Sequence, residues 1–178
     1  MGIRFAIFCF LSVLFLPPVY SENQKLTQFG HYGQIGVPLT AGIISLYDED
    51  YSGFGEVIEG AIFTSLATYA LKYSVREERP DGSDNLSFPS GHTSSAAQGA
   101  AYLQFKYGWK YGLPAYAITG LVGYSRVQAN QHSWHDVIAG ALLGTAIQYA
   151  VTVKGYSLVS IIPYVGADEV GLFVSAKF

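Results

Sequence analysis

The chain has 178 residues, which suits one domain, and half of them are hydrophobic. Only 13% are charged, about half of the roughly 25% usual in soluble domains, and the net charge is -3. That balance excludes a basic nucleic-acid binder and places the chain between an ordinary soluble protein and a polytopic membrane protein.

Residues 1–21 read as an export signal. Arg4 gives a positive start, Phe5 to Leu16 form an apolar stretch, and Pro17-Pro18 break it before Val19-Tyr20-Ser21. The stretch is short for a bilayer span, which favours a signal peptide over an uncleaved anchor. The only cysteine, Cys9, lies inside it, so cleavage after Ser21 leaves no thiol, disulfide or cysteine metal site. Residues 22–32 are polar and are expected to be irregular. A short helix is expected over Ile35 to Leu46, ending at Tyr47-Asp48-Glu49-Asp50. That acidic run reads as a solvated loop rather than a cation site, since no second oxygen cluster accompanies it.

Glu56 to Val75 reads as a helix, and residues 80–89 as a loop rich in Pro, Asp, Gly, Ser and Asn. Ser90 to Tyr107 reads as a helix with Ser90 available as its N-cap. Gly112 to Val127 and Asp136 to Val153 are two further apolar helices, and small residues along the last permit close packing. In the tail, Val170, Leu172, Val174, Ala176 and Phe178 alternate with other residues, which is strand period. The expected fold class is all-α: about five bundled helices over 22–156, with a short C-terminal β-hairpin over 157–178.

Three segments concentrate the chemistry. Lys72 and Arg79 are two cations at a helix exit, where Arg offers a planar fork for phosphate oxygens and Lys a point charge. Taken alone they could equally complement a helix dipole. Ser90-Gly91-His92 opens a helix, whose free N–H groups and positive dipole end suit an anion. An ordinary capped helix with a surface histidine would look the same. Arg126 supplies a third cation. His132 and Asp136 are four apart and share one helix face, so the carboxylate can fix the imidazole tautomer and leave Nε2 free to attack. A core histidine satisfied by a neighbouring acid is the plainer alternative. His135 adjoins Asp136, and adjacent helical residues do not face each other, so it is read as a bystander.

Together the segments spell K-x6-R-P, P-S-G-H and S-R-x5-H-x3-D, in order. This resembles the full signature of the type 2 phosphatidic-acid phosphatase superfamily, over about the central third of the chain. The resemblance implies an all-helical core with the three segments at one end. It implies that Lys72, Arg79, Ser90, Gly91 and Arg126 hold phosphate. It implies that His132 attacks phosphorus to form a phosphohistidine, that His92 protonates the leaving oxygen, and that Asp136 orients His132. No metal and no other cofactor is implied.

Relatives with this signature include membrane enzymes acting on lipid phosphates, soluble exported acid phosphatases, and vanadium haloperoxidases, which are much larger. The uncharged runs here, 60–71, 111–125 and 137–153, are each shorter than the roughly 20 residues of a clear span. The 14 Tyr and 11 Phe suit a bilayer interface or a soluble core. The reading is an exported, membrane-associated enzyme whose site faces the periplasm and whose substrate is a phosphorylated lipid or small phosphate ester. The rivals are a soluble periplasmic acid phosphatase and an envelope protein that binds phosphate without turnover.

Overall fold

The computed structural model describes residues 22–156, 159–165 and 170–176. The expected signal segment at 1–21 lies outside them. Five helices follow in order: α1 (Glu22–Tyr47), α2 (Tyr51–Val75), α3 (Gly91–Tyr107), α4 (Trp109–Gln128) and α5 (Trp134–Thr152). Strands β1 (Val159–Val165) and β2 (Val170–Ala176) pair antiparallel, from Val159 opposite Ala176 to Val165 opposite Val170. The connection at 166–169 lies outside the described residues.

Residues 22–32 are helical, not irregular, and they open α1. Their polarity suggests a loop in isolation, but tertiary contacts decide helix stability more than propensity does. Gly30 lets α1 press onto α4: a Cβ there would lie 2.0 Å from Ser125 Oγ and 2.5 Å from Arg126 Nη2. Local signals set the other ends. Asp50 caps α2 by accepting from Gly53 N at 2.8 Å, and its carboxylate also pairs with Lys106 at 3.0 Å. The acidic run thus serves as a cap and an ion-pair partner. Ser90 caps α3, and Ser133 with Asp136 forms a capping box on α5.

Helix α3 is the central element and packs against the other four. Its buried face is made of small residues, Ala96, Ala97, Ala100 and Ala101, with Tyr102 and Leu103 beyond them. Gly140 and Gly144 of α5 sit against its backbone, where an added Cβ would meet Ser90 O at 2.5 Å and Ser94 O at 2.2 Å. The interior is also polar. Gln98 donates to Gln148 at 2.6 Å and to the Val57 carbonyl at 3.1 Å, and Thr68 shares a 3.0 Å bond with Ser94. These bonds offset much of the cost of burying such groups.

Large apolar side chains lie outside instead. Ile35, Leu39 and Ile43 line the free side of α1, Ile62 and Leu66 that of α2, and Leu142 lies on α5. Small residues within and large apolar residues without is the arrangement that favours close helix packing in an apolar medium. No described helix is long and apolar enough to cross a membrane.

Candidate active site

The three motif segments meet at the end of the bundle formed by the start of α3, the exit of α2 and the α4–α5 connection. Lys72 emerges in the last turn of α2 and is buried. Its ammonium donates to the carbonyls of Leu86 and Ser87, which ties the loop 80–89 to the helix. Burial, and then the nearby Arg79 charge, lower its pKa to about 8 against the pull of Asp136 and Asp84. Arg79 is held from the other side by Asp84, Nε to Oδ1 at 2.7 Å. Its Nη1 stands 3.4 Å from His132 Nε2 and 3.3 Å from the Gln131 carbonyl.

His132 is buried, with Nε2 turned to Arg79 and Nδ1 turned inward. The expected carboxylate contact is present as proximity: Nδ1 lies 3.6 Å from Asp136 Oδ2. Ser87 stands beside both. Its hydroxyl donates to Asp136 Oδ2 at 2.7 Å and is 3.4 Å from His132 Nδ1. Burial alone would raise the Asp136 pKa, but hydrogen bonds from Ser87 and Ser133 outweigh it and hold the group below the ordinary carboxylate value. Burial, then Lys72 and Arg79, push His132 down to about 4, with Asp136 opposing. The imidazole is therefore neutral at pH 7, with Nε2 free to act as a nucleophile.

Arg126 is fully buried and many-bonded. It donates to Ser125 Oγ at 3.0 Å, to Gln131 Oε1 at 3.2 Å and to the Thr27 carbonyl at 2.6 Å, and its Nη1 is 3.4 Å from His92 Nε2. Burial, followed by Arg126 and His31, pushes His92 down to about 3. Ser90 is buried. Its hydroxyl caps α3 and lies 3.0 Å from Thr93 Oγ1, and its N–H donates to the Asp136 carbonyl at 3.0 Å. A Cβ on Gly91 would be 3.9 Å from Lys72 Cε, so Gly91 lines the approach to that cation without strain.

His135 differs from expectation. Its Nε2 pairs with Glu77 Oε1 at 2.8 Å and with Asp136 Oδ1 at 3.3 Å, and its ring stacks on Phe88. The two neighbours meet because both lie in the first turn of α5, where Asp136 folds back over the helix N-terminus to cap it. The hydrogen bond that His135 donates to Glu77 raises the His135 pKa. Ligand atoms of Glu77, His135 and Asp136 lie within 4.8 Å of one another, a donor set that could take a cation, although ion pairs already use it. Sequence reasoning also passed over Ser87, Gln131 and His31. Ser87 lay within the loop read over residues 80–89, and nothing in the pattern singled out any of the three.

The family model described as the PAP2 superfamily matches residues 70–157, from just before Lys72 to beyond Asp136. This segment belongs to the PAP2 superfamily. Over 128 residues the chain is 33% identical to the Lipid A 4'-phosphatase of Helicobacter pylori strain J99, an alignment covering 65% of this chain and 64% of that protein. The PAP2 segment and its flanking helices also resemble two solved structures. Aquifex aeolicus LpxE shares the fold with a TM-score of 0.64 at 22% identity, over 83% of this chain and 93% of that one. A transmembrane PAP2 type phosphatidylglycerolphosphate phosphatase from Bacillus subtilis matches with a TM-score of 0.60 at 26% identity, over 85% and 83%.

Proposed function

We propose that this chain is a phosphatase that hydrolyses phosphomonoesters or diphosphates of membrane lipids through a phosphohistidine on His132. One observation carries the reading: a neutral buried histidine has Nε2 beside Arg79 and Nδ1 backed by Ser87 and Asp136. A phosphate at this end would meet Arg79 and Arg126, the charge of Lys72, and the α3 N-terminus at Ser90 and Gly91. In-line transfer is helped mainly by positioning and charge stabilisation, and such a cluster supplies both. His132 Nε2 bonds to phosphorus as the ester P–O bond breaks, and His92 protonates the departing oxygen. Water then attacks the phosphohistidine and frees phosphate. The negative charge of the substrate offsets the cations that suppress protonation of His92, so binding itself moves that group toward its acid form.

The lipid substrate is supported by two relatives whose names specify phosphorylated lipids. The outward apolar side chains of α1, α2 and α5 support association with a membrane, where lipid would cover them. The protein would then be exported to the envelope, with its site on the periplasmic side and 22–156 as the phosphatase domain. The uncharged runs of the sequence, each shorter than a clear span, keep open the second reading, a soluble periplasmic acid phosphatase.

Phosphate release from an aryl phosphate, a phosphatidate and a polyprenyl diphosphate, with and without detergent, separates these readings. Release mainly from the lipids supports the first reading, and release from the aryl phosphate alone supports the second. Binding of phosphate with no release from any substrate would leave an envelope phosphate binder. Activity should survive chelator and be lost with vanadate, which copies the trigonal-bipyramidal transition state.

A further inference from the structure

The site has a fourth segment, outside the three motifs, in the α1 turn from Thr27 to His31. Three observations place it there. The Thr27 carbonyl accepts from Arg126 Nη2 at 2.6 Å. Gly30 has no Cβ to block that approach. His31 Nδ1 lies 2.9 Å from His92 Nε2, with the rings edge-to-face at 4.9 Å between centroids. Two imidazole nitrogens at that distance hold one proton between them, since two protons would clash and none would leave lone pairs opposed.

We propose that His31 is the positioning residue and proton partner of the general acid His92. The inference rests on the phosphatase reading above. Arg126 Nη1 points a donor at the same His92 nitrogen, so in the resting pair that nitrogen carries the lone pair and His31 Nδ1 carries the proton. His31 is exposed while His92 is half-buried, so the pair joins the site to solvent. When a phosphate ester offsets Arg126, solvent protonates His31 Nε2 and the Nδ1 proton crosses to His92 Nε2. His31 is then neutral and His92 charged. As the P–O bond breaks, its electron pair goes to the leaving oxygen, which takes the His92 Nε2 proton. In the second half-reaction the attacking water gives its proton to His92, and the pair returns it to solvent by the same route. The charged or titratable groups around the pair are Arg126 from α4, Arg79 from the loop after α2, and His132 before α5. Burial and Arg126 lower His31 as well, which keeps the resting pair uncharged.

His31→Ala and His31→Gln test this in the full chain, on an alkyl phosphate lipid and an aryl phosphate. The expected result for His31→Ala is a kcat loss of about 10- to 100-fold on the alkyl substrate, part of the 10²–10⁴-fold that acid–base help supplies. KM should stay within about twofold, the aryl substrate should be spared, and added imidazole should restore alkyl turnover. His31→Gln can hold the ring but cannot pass a proton, so it should keep the defect. Equal loss on both substrates, or no loss on either, would overturn the proposal. An NMR titration of the histidine rings decides the shared proton without turnover. The His92 titration should move in His31→Ala, and an unmoved titration would overturn the pairing. A wild-type protein that releases no phosphate from any substrate would instead remove the phosphatase reading, with the ring titration still decisive for the pair.

Discussion

His132 and His92 stand at the same end of the bundle, near the same arginines, and both are neutral at pH 7. They differ in what lies behind the ring. His132 is backed by Ser87 and Asp136, and its reactive nitrogen faces Arg79. His92 has a second imidazole and Arg126 on its Nε2. A ring backed by a carboxylate can accept positive charge as it attacks phosphorus, because the anion stabilises the imidazolium-like product. A ring backed by another imidazole has no such anchor and carries charge only while a substrate anion is near. On the proposed mechanism, one residue type is thus divided into nucleophile and acid by its neighbours.

The largest effect should fall on the nucleophile. His132→Ala should lower turnover by at least about 10⁴-fold on every substrate, as losing a nucleophile does elsewhere, and should trap no phosphoenzyme. Rapid-quench labelling with a radioactive phosphate ester checks both. Label retained by His132→Ala, or found on His135 in the wild type, would reverse the division.

His92→Ala should cost about 10²–10⁴-fold where the leaving group is a lipid alkoxide. It should cost clearly less with an aryl phosphate, which departs with little protonation. Equal costs on the two substrates would mean that His92 is not the acid, and the contrast between the rings would fail.

Much of this end was readable in the chain itself. Lys72, Arg79, His92, Arg126, His132 and Asp136 are all drawn to one end of the bundle because each lies at or beside a helix terminus, and termini are marked by local cues such as the Ser90 and Ser133 caps. The helices were harder to bound. Residues 22–32 look like a loop because residues among them, such as Thr27 and His31, serve contacts with α4 and α3 that no local window contains. His31 was hidden for the same reason, since it is 61 residues from His92 in the chain. The contact of His135 with Asp136 was not legible, because the rule that adjacent helical residues diverge fails in a first turn where the side chain caps its own helix.

The buried ring also leaves a mark on stability. In the unfolded chain His132 titrates near 6.5, and in the folded chain near 4. Between these values the unfolded state binds the extra proton, so stability falls as pH drops from 6.5 toward 4 and levels off below. A difference of this size is worth on the order of 3 kcal/mol. Thermal melts in detergent at pH 7.5 and 4.5 should show it. His132→Ala should shrink the difference between the two melts, leaving the share due to His92. An unchanged difference would mean that His132 is not the buried neutral ring described.

The smallest expected effect tests what lies behind His132. Ser87 is buried, donates to Asp136 Oδ2 at 2.7 Å, and sits closer to His132 Nδ1 than the carboxylate does, at 3.4 against 3.6 Å. Ser87→Ala removes the hydroxyl but keeps the backbone bond from Ser87 N to the Glu77 carbonyl, so the loop should hold. Asp136 keeps its bond from Ser133 N at 2.8 Å. Losing one bond to a buried charged group is worth about 1.5–3 kcal/mol, and because Asp136 stays partly satisfied, kcat should fall by about tenfold with KM little changed. The Ser87 bond also helps to hold the Asp136 pKa down, so its loss should raise that pKa. Protonated Asp136 no longer supports His132, so the acid limb of the kcat profile should move to higher pH in Ser87→Ala. A tenfold loss without that movement would make Ser87 a packing residue only. No loss at all would mean that Asp136 supports His132 directly, across the 3.6 Å gap.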